Sequence, residues 1–223
     1  MPSSNYAEQW ILGPLETSFY TRLYMPKDVP IRAAMVFVHG YLEHIGRYET
    51  FHSAWAARGV AVFAYDERGF GRTALDEKKS AKSVYGQTGG AVERMLDVQW
   101  AIKYTRGKVE RVPLFLMGHS MGGGQVLSFA TRTESPPDKE TVAMLSGVIA
   151  SSPLVHITKP PPSALVRLLT MVGKVFPNTV LSTPVQDKEL SHDPTIGEDS
   201  LKDPWIKGIG TIRGLTDMLN RVR

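Results

Sequence analysis

The sequence predicts an α/β fold on a mostly parallel sheet, and three features carry that prediction. Four short apolar runs are continuous rather than alternating, as expected of strands buried on both faces of a sheet. Each run ends in turn-forming or polar residues, and stretches of helical period lie between them. The composition is globular: of 223 residues, 42% are hydrophobic and 22% charged. These shares exclude disordered, collagen-like and low-complexity classes.

Taken in order, Ala33 to Val38 is the first buried strand and stops at His39-Gly40. Arg47 to Arg58 has helical period, and Val60 to Tyr65 is the next strand, closed by Asp66. Ala91 to Thr105 sets Val92, Met95, Leu96, Trp100 and Ile102 near one helical face. Val112 to Met117 is a strand ending at Gly118, Met121 to Thr131 a helix, and Leu145 to Ala150 a strand ending at Ser151-Ser152-Pro153. Beyond it, Lys159-Pro-Pro-Pro162 is a stiff extended spacer. Ser163 to Phe176 is a helix with one narrow polar stripe (Ser163, Arg167, Thr170, Lys174) and an otherwise apolar circumference. Two readings of it stand: a helix packed under other elements, or an amphipathic lid that meets a lipid interface. Leu181 to Pro204 reads as irregular, and Ile206 to Leu219 as a final helix interrupted by Gly208, Gly210 and Gly214.

Several function classes fall away. Lys plus Arg (26) exceeds Asp plus Glu (22) by four, and the excess is spread along the chain, so no nucleic-acid footprint is present. Zero cysteine excludes disulfides, thiol nucleophiles and Cys-based zinc sites. No run of about 18 apolar residues exists to span a bilayer. Met1 to Trp10 lacks the basic and apolar regions of a secretory signal, so a cytoplasmic protein is expected, with peripheral contact to membranes or lipid droplets.

The chemistry concentrates at Gly118-His119-Ser120-Met121-Gly122. A bare G-x-S-x-G is weak, but here it follows a buried strand and opens a helix, the strand–turn–helix setting of a nucleophile elbow. Gly118 and Gly122 have a steric reason to be glycine in so sharp a turn, and Ser120 is thrust out at a helix N-terminus where negative charge is favoured. A glycine-rich turn with an incidental serine is the bland alternative. His39-Gly40-Tyr41-Leu42-Glu43-His44 follows the first buried strand, where such sites take one backbone oxyanion donor; the donors would be the N–H groups of Tyr41 and Met121. A rival reading takes His39, Glu43, His44 and His52 as metal ligands, though their spacing fits no zincin pattern. Gly69-Phe-Gly-Arg-Thr-Ala74 formally matches a dinucleotide fingerprint, but no apolar helix start follows, and it reads as a turn.

At these residues the chain resembles the monoacylglycerol lipase branch of the α/β-hydrolases, including fungal members. The likeness runs from about Glu16 to Arg223 and rests on three motifs in order: H-G-x-x-E-H-x-G-R-Y at His39 to Tyr48, D-x-R-G-x-G-x-T at Asp66 to Thr73, and G-H-S-M-G-G-G at Gly118 to Gly124. Thr73 stands where the family often has Ser. The resemblance implies an α/β-hydrolase core, Ser120 as nucleophile, Tyr41 and Met121 as oxyanion donors, and supporting roles for His39, Gly40, Gly118, His119 and Gly122. It implies a lipid ester substrate and no cofactor or metal. It also divides one domain, residues 1–223, into a core (1–151), a cap over an acyl tunnel (152–207) and the start of a return to the core (208–223).

The departure comes after Ser120. The family order is Ser, then Asp or Glu, then His, each on a loop after a later strand. Only His156 and His192 follow Ser120, and no further pair of buried strands accompanies them. The resemblance therefore implies that the acid and base lie beyond residue 223, that the last strands are missing, and that the chain is nearly inactive and poorly soluble alone. A local Ser120–His192–Asp187 set is the alternative arrangement, and an inactive fragment that only binds lipid or a partner is the alternative function.

Overall fold

The computed structural model describes residues 5–80, 84–157, 160–183 and 191–221. Its main sheet has six strands: β1 (Ala7–Leu12), β2 (Ser18–Tyr24), β3 (Ala33–Val38), β4 (Val60–Tyr65), β5 (Leu114–His119) and β6 (Gly147–Ser151). The spatial order is β1-β2-β4-β3-β5-β6. The four expected strands are the parallel part, β4-β3-β5-β6, with β3 central. Two antiparallel strands precede them in the chain. These were not expected, because neither is a plain apolar run. β1 is an edge strand with an exposed polar start, and β2 carries Thr21 and Arg22 into the interior. Arg22 is satisfied there: it donates to the Tyr20 hydroxyl at 2.9 Å and to Glu49 at 2.9 Å, with its guanidinium 4.2 Å from the Tyr6 ring centre.

Helices cover both faces of β3, β4 and β5, which explains why these strands are apolar throughout; β6, expected to be buried on both faces, is instead an edge strand with no residue fully buried and Ile149 exposed. On one face Val36, Val38, Phe63, Tyr65 and Leu116 meet Met95, Val98 and Ile102 of α3 (Ala91–Lys108) and Val126 and Phe129 of α4 (Met121–Thr131). The intervening residues Met35, Phe37, Val62 and Ala64 turn to the other face, against Ile45 and Ala56 in and before α1 (Glu49–Ala56). The short helices are α2 (Gly71–Leu75), which follows the Gly69 turn, and α5 (Lys139–Ala143). A third cluster of Leu42, Phe70, Ala74, Tyr85 and Met121 includes side chains from the loops after β3, β4 and β5.

After β6 come α6 (Ser163–Val175), β7 (Val180–Ser182), α7 (Pro194–Lys202), β8 (Ile209–Thr211) and α8 (Ile212–Arg221). Two expectations are corrected here. The irregular 181–204 stretch contains α7, which Asp193 caps by accepting the Thr195 N–H at 2.9 Å, with Pro194 in the first turn. The final helix starts only at Ile212, because 209–211 pair with 180–182 as an antiparallel ribbon. α6 is packed on one side and exposed on the other. Val166 and Gly173 are buried, Gly173 lying so near Ile212 of α8 that a Cβ would come within 3.0 Å of it. Leu165, Leu168, Met171 and Val175 stay 45%, 56%, 66% and 70% exposed. Among the described residues no helix is long and apolar enough to cross a membrane.

His52 lies on α1 in an aromatic box, with ring centres 5.1 Å from Tyr24 and 4.7 Å from Phe37, and neither ring nitrogen has a hydrogen-bond partner. Burial, aided by the Arg22 charge, lowers its pKa to about 3. The unfolded chain takes up a proton near pH 6.5 and the folded chain does not, so this group costs stability as pH falls below 6.5. His52→Phe should therefore gain about 2 kcal/mol relative to the parent between pH 7 and pH 5, at about 1.4 kcal/mol per pH unit below 6.5. Urea unfolding of both proteins at the two pH values checks this; a pH-independent difference would mean that His52 takes up a proton in the fold as readily as in the unfolded chain.

Candidate active site

The turn after β5 is built by close backbone contact. Ser120 sits at φ 52° and ψ −116°, between the last strand residue and the first residue of α4. Its N–H donates to the Ser151 carbonyl at 3.0 Å, and its own carbonyl accepts from Gly124 at 3.0 Å and Leu154 at 2.8 Å. A Cβ on Gly118 would collide with the Gly122 carbonyl, and one on Gly122 with the carbonyls of Val38 and His39. The steric reason for both glycines is thus present, and Ser120 is left half-buried at the N-terminus of an 11-residue helix. His119 beside it is half-buried, its Nδ1 3.2 Å from the Ser151 hydroxyl.

The loop after β3 is pinned against this turn. His39 is fully buried: its Nε2 accepts the Glu67 N–H at 2.8 Å, so Nδ1 carries the proton and donates to the Gly40 carbonyl at 2.8 Å. Burial lowers its pKa to about 3. Gly40 donates its N–H to Glu43, whose same oxygen accepts the Tyr48 hydroxyl at 2.6 Å. A Cβ on Gly40 would lie 3.2 Å from Ser120 Cβ, which brings Tyr41, the next residue, close to the serine. Met121 is buried in the third cluster, and Arg94 Nη1 lies 3.7 Å from its sulfur.

Sequence reasoning assigned no local function to Asp66. It is fully buried and accepts N–H bonds from Ile45 at 2.8 Å and Arg72 at 2.7 Å, so one carboxylate joins the loops after β3 and β4. Desolvation pushes its pKa up to about 6, against the pull of His44 and those two donors. Thr73 keeps a hydroxyl where the family often has Ser, and it donates to the Asp66 carbonyl at 2.8 Å.

Other candidates are not drawn together. His156 and His192 are exposed, neither has a hydrogen bond to Ser120, and Asp187 lies outside the described residues. The four residues of the metal reading have separate partners: His39 on Glu67, Glu43 on Gly40, His44 on Asp203 at 2.8 Å, and His52 in its aromatic box. Among the described residues no group of three or more His, Cys, Asp or Glu side chains is placed to hold a metal ion.

A family model described as "Serine aminopeptidase, S33" matches residues 29–223. The chain belongs to this family of α/β-hydrolases, in its monoacylglycerol-lipase-like branch. Among the similar proteins are the "Putative monoglyceride lipase" of Schizosaccharomyces pombe, 34% identical over 87% of this chain and 49% of that one, and the monoacylglycerol lipase of Mycolicibacterium smegmatis, 28% identical over 92% and 67%. The crystal structure of Paleococcus ferrophilus monoacylglycerol lipase superposes with a TM-score of 0.70 at 29% identity, covering 92% of this chain and 71% of that one. The chain thus spans about half the length of the Schizosaccharomyces relative.

The backbone at Ser120 is outside the regions that side chains with a Cβ prefer, at a cost of about 1–3 kcal/mol. Glycine relieves that strain and gives back about 0.5–1 kcal/mol through a freer unfolded chain. Ser120→Gly should then be more stable than Ser120→Ala by about 1 kcal/mol, read from chemical denaturation midpoints. Equal stability would show that the turn relaxes in solution.

Proposed function

We propose that this chain carries the nucleophile and oxyanion donors of a serine ester hydrolase acting on monoacylglycerols or lysophospholipids. The carrying observation is Ser120 held at φ 52° with Gly40 packed on its Cβ. In this reading Ser120 Oγ attacks the ester carbonyl carbon, and the developing oxyanion takes hydrogen bonds from the Tyr41 and Met121 N–H groups. A general base takes the Ser120 hydroxyl proton and passes it to the leaving oxygen as the tetrahedral intermediate collapses and expels the alcohol; water, deprotonated by the same base, then attacks the acyl-serine, releasing the fatty acid and restoring the Ser120 hydroxyl. Loss of one such donor costs about 2.7–4 kcal/mol in the transition state. The backbone alone would donate, so the Tyr41 and Met121 side chains are free for other work.

Residues 152–207 serve as the cap in this proposal. The apolar row Leu165, Leu168, Met171 and Val175 on α6, flanked by exposed Arg167 and Lys174, suits a lipid surface better than a peptide substrate. Peripheral contact with a membrane or lipid droplet is the part of the proposal that this surface supports. A second reading, an inactive hydrolase that only binds lipid, is favoured by one observation: neither histidine after Ser120 hydrogen-bonds to it.

A fluorophosphonate probe on the 223-residue chain separates the two, because a serine labels quickly only when a base activates it. Labelling should fall on Ser120, vanish in Ser120→Ala and persist in Ser128→Ala. Fast labelling makes His192 or His156 the base; no labelling selects the inactive reading. Separately, the protein should sediment with anionic vesicles and be partly released by salt. The pair Leu168→Glu and Met171→Glu should abolish sedimentation; unchanged binding would move the lipid surface off α6.

A further inference from the structure

The peptide carrying the Tyr41 N–H needs support at both ends. On one side is Gly40, whose backbone has no Cβ to restrict it. On the other is Leu42, held in the left-handed region at φ 60°, a conformation that a leucine adopts only under constraint. Glu43 anchors the Gly40 N–H. The second anchor is the Tyr41 side chain, whose hydroxyl bonds the Thr183 hydroxyl at 2.7 Å, 142 residues away. The Tyr41 ring also stands edge-on to Phe70, with centres 5.6 Å apart.

Thr183 belongs to the β7–β8 ribbon, since its N–H continues the pairing by donating to the Gly208 carbonyl at 2.8 Å. Across that ribbon Gly210 leaves room for the Tyr41 hydroxyl, which a Cβ there would strike. The ribbon is fixed in turn: Thr211 donates to the Gly86 carbonyl at 3.0 Å, and the Lys207 N–H to the Tyr85 hydroxyl at 2.9 Å. Tyr41 therefore joins a strained loop beside Ser120 to a secured element of a different part of the chain.

We propose that the Tyr41 hydroxyl is a positioning group, through which the β7–β8 ribbon fixes the orientation of the Tyr41 N–H beside Ser120. The proposal rests on the assignment of that N–H as an oxyanion donor. It makes the ribbon's seating on the loop part of what assembles the site. Displacing the ribbon frees the peptide to rotate about Gly40, even though no ribbon residue touches the reacting atoms.

Two variants remove one oxygen atom's worth of bonding and little else: Tyr41→Phe from one side, Thr183→Val from the other. In the full chain, hydrogen exchange of the Gly40 amide, read by NMR, should quicken about two- to tenfold in each. The double variant should be no faster than either single one, because both delete the same bond. Amides of α3 and β5 should keep the parent rate. With the fluorophosphonate probe, the maximal labelling rate at Ser120 should fall several-fold in both, with the half-saturating probe concentration unchanged. Parent-like Gly40 exchange, additive effects, or acceleration spread equally over α3 and β5 would each overturn the proposal. If Ser120 takes no label even in the parent chain, the nucleophile assignment fails, and the exchange comparison alone decides the coupling.

Discussion

The contact on which the site depends is between two backbones: the first turn of α4 rests on the end of β3, with Gly122 facing the carbonyls of Val38 and His39. No side chain fits between them. Pairing of β3 with β5 brings Val38 opposite Gly118, so the register of the sheet delivers this contact directly. Once the helix begins so near the strand, the chain has one residue in which to reverse from sheet to helix. Ser120 takes that turn at a cost of about 1–3 kcal/mol. The surrounding order offsets it: the apolar strands β3, β4 and β5, buried on both faces, and hydrogen bonds joining the Ser120 amide and carbonyl to Ser151, Leu154 and Gly124.

The loops around Ser120 obey a related logic, with buried side chains acting as fixed partners for peptide groups of a neighbouring loop. His39 accepts the Glu67 amide, Asp66 the Ile45 and Arg72 amides, and Glu43 the Gly40 amide. The His39–Glu67 and Asp66–Ile45 bonds join the loops after β3 and β4 beyond the strand ladder, and the Asp66–Arg72 and Glu43–Gly40 bonds brace each loop from within. Burial makes them strong while satisfied and expensive to break. Its electrostatic trace is opposite in the two residue types: the neutral imidazole of His39 is favoured, and the proton on Asp66 is held more tightly. A network of this kind gives the peptide groups around Ser120 a set geometry.

Legibility in the sequence follows from how local the cause is. β3 to β5 and α4 were readable because double-sided burial writes itself as an unbroken apolar run, and a sharp turn as paired glycines; β6 was readable from its apolar run although it lies at the sheet edge with no residue fully buried. β1 and β2 were not, because an exposed edge and a buried arginine both break the run; Arg22 is tolerated through its neighbour Tyr20 together with Tyr6 and Glu49, which the fold brings to it from other parts of the chain. α7 had a legible start in Asp193-Pro194, masked by its polar surroundings. Ser120 and its glycines were visible as a local pattern. The roles of Asp66, Thr73 and the Tyr41 hydroxyl were not, since each acts on atoms brought near by the fold.

Two kinds of contact hold the structure together around the loop after β3. The sheet and its helices share large buried clusters, with Phe37, Phe63 and Phe129 almost fully enclosed. The segment after β6 meets the loop after β3 through polar bonds, Tyr41 to Thr183, His44 to Asp203, and Arg47 to Ser200 at 2.9 Å, and through Ile209 and Met218, which pack on the cluster that includes Leu42, Phe70 and Tyr85. Its main helix α6 leaves a whole apolar row outside the fold. A net hydrogen bond contributes about 0.5–1.5 kcal/mol, whereas one enclosed phenylalanine contributes about 1.5–3 kcal/mol. The later segment is held by both kinds of contact, polar bonds and the packing of Ile209 and Met218. Its contacts bear directly on the loop that flanks Ser120, so a change in how that segment is seated reaches the loop without passing through the sheet.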